Sequence, residues 1–187
     1  ILGGVYPTTL PEEAVKGKNI DWLFMHHAED RINAFLRLVL SGNLDAIKIF
    51  PGIAYRGKND CLVEVPPKHF IGDVKVMAKP DYTLIDMKKY LSQTTIDYQF
   101  NSTKPSAFII TSYGCPYKCL FCASRTISGR KVVFRPVEDV IEEIDFLTKE
   151  HNVGNLVFLD DALLANRKRI NTLLNTFIRR EFNLTWK

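Results

Sequence analysis

The apolar positions of the chain alternate between short buried runs and helical stripes. Ile1-Leu2-Gly3-Gly4 reads as the tail of a buried strand entering a glycine turn, and residues 20–24 read as a short, mostly buried strand. From Glu29 to Leu40, apolar Ile32, Phe35, Leu36, Val39 and Leu40 recur at helical spacing and form one stripe. Ser41-Gly42-Asn43 ends that helix with a glycine near its C-terminus. The pattern then predicts a strand around Ala46 to Phe50 that turns at Pro51-Gly52. From Val65 to Pro105 the periodicity dissolves. Pro66-Pro67, Pro80 and Pro105 favour extended backbone there, so a connector over 66–105 is expected.

Periodicity returns at Ala107-Phe108-Ile109-Ile110, an apolar run suited to a central parallel strand. A helix is expected from Val137 to Lys149, with Val137, Val140, Ile141, Ile144 and Leu147 on one face and Glu142 and Glu143 pointing elsewhere. Leu156-Val157-Phe158-Leu159 reads as a second strand that ends at Asp160-Asp161. Ile170, Leu173, Leu174, Phe177 and Ile178 mark a further helix, and Leu184-Thr185-Trp186 a third strand. Strand, helix, strand, helix, strand with short joints is the βα pattern of a parallel sheet or barrel, an α/β class. Functional loops of such folds lie at the C-terminal strand ends, where Asp160-Asp161 and the segment after Ile110 both fall.

Composition narrows the class without choosing a function. The 187 residues are 46% apolar and 25% charged, ordinary globular proportions, and a chain this long needs no disulfide scaffold. No apolar run approaches the ~20 residues of a membrane span, and Ile1-Leu2-Gly3-Gly4 is no basic leader. A net charge of +4, with its basic pairs scattered, does not call for a nucleic-acid partner.

The cysteines carry more. Cys115, Cys119 and Cys122 form Cys-x3-Cys-x2-Cys within Thr111-Ser112-Tyr113-Gly114-Cys115-Pro116-Tyr117-Lys118-Cys119-Leu120-Phe121-Cys122, while Cys61 stands apart. Disulfides inside so tight a cluster would close very small loops, so metal binding in a reducing compartment is the better expectation. Three thiolates on one loop can ligate three irons of an iron–sulfur cube and leave the fourth open. A structural zinc site needs four closed ligands, for which Cys61 or His151 are the distant candidates; zinc and unligated thiols stay as alternatives.

This loop after a first strand, with Phe121 before the last cysteine, resembles the radical S-adenosylmethionine superfamily. Lys131-Val132-Val133-Phe134-Arg135 leading to Glu138, then Phe158-Leu159-Asp160-Asp161 with Asn166 and Arg167, resemble its cobalamin-binding branch, so the resemblance covers 106–187. It implies a 4Fe-4S cluster on Cys115, Cys119 and Cys122 that reductively cleaves S-adenosylmethionine to a 5′-deoxyadenosyl radical, the cofactor supplying the radical chemistry. It also implies that Phe121, Tyr117, Asp160 and Asp161 contact S-adenosylmethionine; capping of the next helix is the plainer role for the aspartates.

Gly3-Gly4 with Thr8 and Pro11-Glu12-Glu13 resembles the glycine turn of a cobalamin-binding Rossmann-like domain, where Gly3, Gly4 and Thr8 would approach the cofactor's nucleotide tail. Pro80-Asp81-Tyr82 resembles the linker between that domain and the radical barrel. The resemblance therefore divides the chain into the C-terminal part of a cobalamin domain (1–65), a linker (66–105) and the first βα units of a partial TIM-type (β/α)6 barrel (106–187). On that division the chain is an internal piece of a longer enzyme and inactive alone. His26-His27 stand where relatives tend to show Gly-Glu, and are expected in a solvated loop. The expected partners are a small-molecule substrate and a reducing electron donor such as a flavodoxin, in the cytoplasm. The reaction expected is methyl transfer or cyclisation. A methylthiotransferase-like enzyme acting on RNA and a non-catalytic zinc module are the competing readings. Arg167-Lys168-Arg169 is expected on an exposed helix face, and Gly129 in a turn.

Overall fold

The computed structural model describes residues 1–74, 79–92 and 104–187. The chain forms two compact units that do not follow its order: Ile1–Ala78 with Gly114–Val133, and Lys79–Tyr113 with Phe134–Lys187. Of the expected connector, residues 75–78 and 93–103 lie outside the described residues.

The first unit is built on a four-stranded sheet in the order β1 (Leu2–Gly3), β2 (Trp22–Phe24), β3 (Ile53–Arg56), β4 (Leu62–Val65). β1 and β2 run parallel, Gly3 opposite Phe24, whereas β2, β3 and β4 are antiparallel neighbours. Helices α1 (Val5–Thr9), α2 (Pro11–Ala14), α3 (Ile32–Leu40) and α4 (Leu44–Lys48) join them. Leu23 with Ala54 packs on Ala14 and Val15, while Phe24 and Ile53 pack on Phe35 and Ile47. Alternate residues of β2 and β3 thus face two small cores, as the period of two dictates. Of the α3 stripe only Phe35 is fully buried; Leu40 is 87% exposed.

Where a strand was expected over Ala46–Phe50, residues 46–48 belong to α4 and Ile49 caps it, and the strand comes after the turn, in β3. The cause is local. The Asn43 side chain accepts a hydrogen bond from the Ala46 amide at 3.1 Å, capping a helix in which Ile47 alone is buried. β3 and β4 form a hairpin in which Ile53 faces Val65 and Arg56 faces Leu62.

The second unit carries the predicted alternation. β5 (Ser106–Ile109), α7 (Val137–His151), β8 (Asn155–Phe158), α8 (Arg167–Arg180) and β9 (Thr185–Trp186) follow one another, and the strands form a parallel sheet in the order β5-β8-β9. Ser106 pairs with Asn155, Ile109 with Phe158, and Asn155 with Thr185. Val140, Ile141, Ile144 and Leu147 of α7 and Ile170, Leu173 and Phe177 of α8 close over Ala107, Ile109 and Leu156. Each such buried aliphatic contributes roughly 1.5–3 kcal/mol relative to exposure. α5 (Met87–Ser92), from the region expected to be connector, buries Met87 and Leu91 in the same core. β6 (Ser112–Tyr113) ends the first segment of the second unit, α6 (Ser124–Ser128) belongs to the first unit, and β7 (Val133–Phe134) falls at the point where the chain passes from one to the other.

Candidate functional site

The cysteine-bearing segment begins at Gly114, whose φ of +86° suits glycine and where an added Cβ would stand 2.3 Å from the Lys131 carbonyl. The outgoing and returning limbs of the loop meet at that point. Beyond it Cys115 is half-buried, Cys119 and Cys122 are exposed, and all three thiols are free. The Cys122 amide donates to the Cys119 carbonyl at 3.3 Å, and the Ser124 amide approaches Cys122 Sγ at 3.5 Å. Phe121 is 92% exposed, which removes core packing as its role, and Leu120 and Tyr117 are exposed beside it. Among the described residues no three His, Cys, Asp or Glu side chains are gathered to hold one ion, so the three sulfurs are not converged. Their chemistry, three unpaired thiols on one solvent-facing segment, fits a cluster that takes three protein ligands. A closed zinc site would need a fourth protein ligand besides these three.

α6, just past the last cysteine, is fastened within the first unit by the two histidines. The His26 ring stacks on Phe70 with centroids 4.0 Å apart, and its Nδ1 donates to the Ile127 carbonyl at 3.0 Å. His27 Nε2 lies 2.9 Å from Ser128 Oγ. Neither histidine is therefore in a solvated loop, contrary to the sequence expectation. The left-handed backbone of His26 (φ +58°) turns the chain so that both rings face α6. Burial pushes the His26 imidazole below its ordinary pKa, with the Ile127 carbonyl acting in the opposite sense. The His26 amide donates to Thr8 Oγ1 at 2.9 Å, and that hydroxyl donates to the Gly4 carbonyl at 2.7 Å. Gly3 thus ends β1, Gly4 (φ +96°) opens α1, and Thr8 is buried with its hydroxyl engaged by both neighbours.

In the second unit the C-terminal ends of β5 and β8 meet in a dense polar network. Asp160 accepts from the Thr111 amide at 3.1 and 3.2 Å, from Thr111 Oγ1 at 2.8 Å and from Ser112 Oγ. Arg169 donates to Thr111 Oγ1 at 3.2 Å, to the Thr111 carbonyl at 3.0 Å and to the Arg135 carbonyl at 3.2 Å, and lies 5.1 Å from the Phe134 ring centroid. Arg135 donates to the Ile110 carbonyl at 2.6 Å and pairs with Glu143, side chains that are 11% and 8% exposed. Tyr82 donates to the other Glu143 oxygen, and burial first, then this carboxylate, hold its phenol well above the usual pKa. The cap of α8 is Asn166, whose side chain accepts from the Arg169 amide at 3.0 Å, and neither aspartate serves as that cap. Asp161 is exposed.

Sequence reading missed Arg169, Arg135, Glu143 and Thr111. Arg169 was expected on an exposed face; it is half-buried because it stands in the first turn of α8, over the strand ends. Glu143 was expected to point away from the core. It follows Val140 by three residues, at the edge of the α7 stripe, and that position was the available signal.

No protein-family model matches the chain. An uncharacterised methyltransferase of Pyrococcus horikoshii is 27% identical across the whole chain and 38% of its own length. The anaerobic magnesium-protoporphyrin IX monomethyl ester cyclase of Rubrivivax gelatinosus is 26% identical across the whole chain and 32% of its own length. The chain thus spans about a third of these relatives. Among solved structures, the cobalamin-dependent S-adenosylmethionine radical enzyme OxsB superposes with a TM-score of 0.73 at 18% identity, over 98% of this chain and 25% of OxsB. The radical S-adenosylmethionine methyltransferase TsrM of Kitasatospora setae, with cobalamin and a [4Fe-4S] cluster bound, gives 0.71 at 19% identity, over 95% of this chain and 33% of TsrM. The chain thus has the fold of these two enzymes, and the relatives it resembles in sequence include a methyltransferase and a cyclase. No described helix is long and apolar enough to cross a membrane.

Proposed function

We propose that the chain is part of a cobalamin-dependent radical S-adenosylmethionine enzyme, a methyltransferase or cyclase, in which Cys115, Cys119 and Cys122 hold a 4Fe-4S cluster. The observation that carries this reading is the set of three free thiols on the segment that follows a parallel strand, in a fold shared with OxsB and TsrM. A cluster held by Cys115, Cys119 and Cys122 would supply the electron that reduces S-adenosylmethionine.

The chain's own residues have simpler tasks. The three thiols deprotonate to bind iron, since the thiolate is the ligand. Tyr117 and Phe121, exposed on the same segment, offer flat apolar surface to an adenine; Asp160 and Asp161 are the further proposed S-adenosylmethionine contacts. In the first unit, Gly3 and Gly4 leave backbone open to a corrinoid tail: nothing stands within 4 Å of a Cβ built on Gly4. Thr8 holds that turn through Gly4 and His26. Residues 1–65 are read as the C-terminal part of a cobalamin domain, 66–105 as a linker and 106–187 as the first βα units of a (β/α)6 barrel, with a small-molecule substrate, a reducing donor such as a flavodoxin and a cytoplasmic setting.

Anaerobic reconstitution with iron and sulfide tests the reading. About four irons and four sulfides per chain, with an electron resonance signal that changes on adding S-adenosylmethionine, are expected. A colourless chain holding a single zinc overturns it.

A further inference from the structure

We propose that Asp160 and Arg169 are positioning residues that clasp Thr111, at the foot of the cysteine-bearing segment, and so set the direction in which the chain leaves β5. The proposal rests on the reading of that segment as the cluster's ligand loop.

Thr111 is fully buried, and every polar atom it owns is taken by these residues or by the returning strand. Its amide and hydroxyl donate to the Asp160 carboxylate; its hydroxyl and carbonyl accept from the Arg169 guanidinium. The same carbonyl accepts from the Arg135 amide at 3.0 Å, and Arg169 also reaches the Arg135 carbonyl. One carboxylate from the end of β8 and one guanidinium from the start of α8 therefore hold both the outgoing chain at Thr111 and the returning chain at Arg135.

The position explains why side chains do this work. The β5–β8 ladder has its last partner pair at Ile109 and Phe158, with the Leu159 amide still reaching the Ile109 carbonyl at 2.9 Å. Past that point the chain turns away toward Gly114, so the Thr111 amide leaves the β5–β8 ladder and its carbonyl keeps the Arg135 amide as its backbone partner. Buried backbone groups need partners, and the charged pair supplies them from outside the sheet. A guanidinium bridges two carbonyls with a fixed fork, which an ammonium cannot reproduce. Asp160 directs its carboxylate at Thr111 and Ser112, so the clasp acts on the backbone that leads into the cysteine-bearing segment.

Two measurements separate this from a bare packing role: amide hydrogen exchange in the metal-free chain, and the rate at which the reconstituted chain yields iron to a ferrous chelator. Asp160→Asn and Arg169→Gln should each speed exchange at Thr111 and Arg135 about tenfold, the loss of one charge-assisted bond, with Leu156 unchanged. Both variants should release iron several-fold faster (roughly in proportion to local opening), Arg169→Lys should fall between, and Lys168→Gln should match the parent. Unchanged exchange at Thr111 overturns the clasp. Faster iron loss with Thr111 unaffected overturns it too, since Asp160 and Arg169 would then act on the iron by a route other than the Thr111 backbone. Acceleration that includes Leu156 in both Asp160→Asn and Arg169→Gln makes the pair ordinary core support and also overturns it. If the parent chain takes up no iron, the cluster reading fails, while the exchange data on the metal-free chain still decide the clasp.

Discussion

The residues from Cys115 to Cys122 and the residues that anchor them are opposites. The anchors Thr111, Ser112, Arg135 and Glu143 are buried or nearly so, and each has strong polar partners. The span between shows solvent two of its three thiols and nearly all of Leu120 and Phe121. Exposed aromatic surface next to free thiols is costly unless something else is to cover it. The chain thus fixes where the span starts and returns and leaves its middle open to solvent.

The largest test of that contrast separates binding from folding. Cys122→Ser should abolish iron uptake on reconstitution while changing stability by no more than the ±0.5 kcal/mol typical of surface changes, about 1–2 °C in melting midpoint for a chain of this size. A large drop in stability would mean that the span is part of the fold. Next in size, Glu143→Ala strips the partner from buried Arg135 and from Tyr82, and should cost about 3 kcal/mol or more in denaturant unfolding. Gly114→Ala forces a Cβ onto the Lys131 carbonyl at a positive φ, and a loss of about 1–3 kcal/mol is expected. The smallest effect is one of pH. His26 titrates below its unfolded value of 6.5 because burial disfavours the charged ring. The unfolded chain therefore binds the extra proton first, and stability is full above 6.5 and declines as pH falls through 6.5 toward the folded pKa. His26→Gln should flatten that slope in urea titrations between neutral and mildly acid pH.

The same contrast governs what the sequence disclosed. The second unit was legible almost element by element, because β5, β8 and the helices α7 and α8 declare themselves by unbroken apolar runs and stripes. In the first unit Ala46 to Phe50 misled: five largely apolar residues fit a strand or a helical turn equally, and the Asn43 cap decides for the helix. The β3–β4 hairpin escaped because its turn holds Asn59 and Asp60 in left-handed backbone with none of the usual two-residue signals. Cys115, Cys119 and Cys122 stood out through spacing alone. Arg169, Glu143 and His26 did not, since each owes its role to a partner far along the chain: His26 to Ile127, Arg169 to Thr111. Local pattern carries no trace of such pairings.

The histidine fastening of α6 has a further consequence for a severed chain. A tryptic nick after Lys118 would leave one fragment holding β5, His26 and His27 and the other holding β8, Ile127 and Ser128. The strand ladder of one unit and the imidazole contacts of the other would each hold a seam between the two pieces. Such a nicked protein should elute as a single species under native conditions and come apart only in denaturant, behaving as a two-piece assembly from one gene.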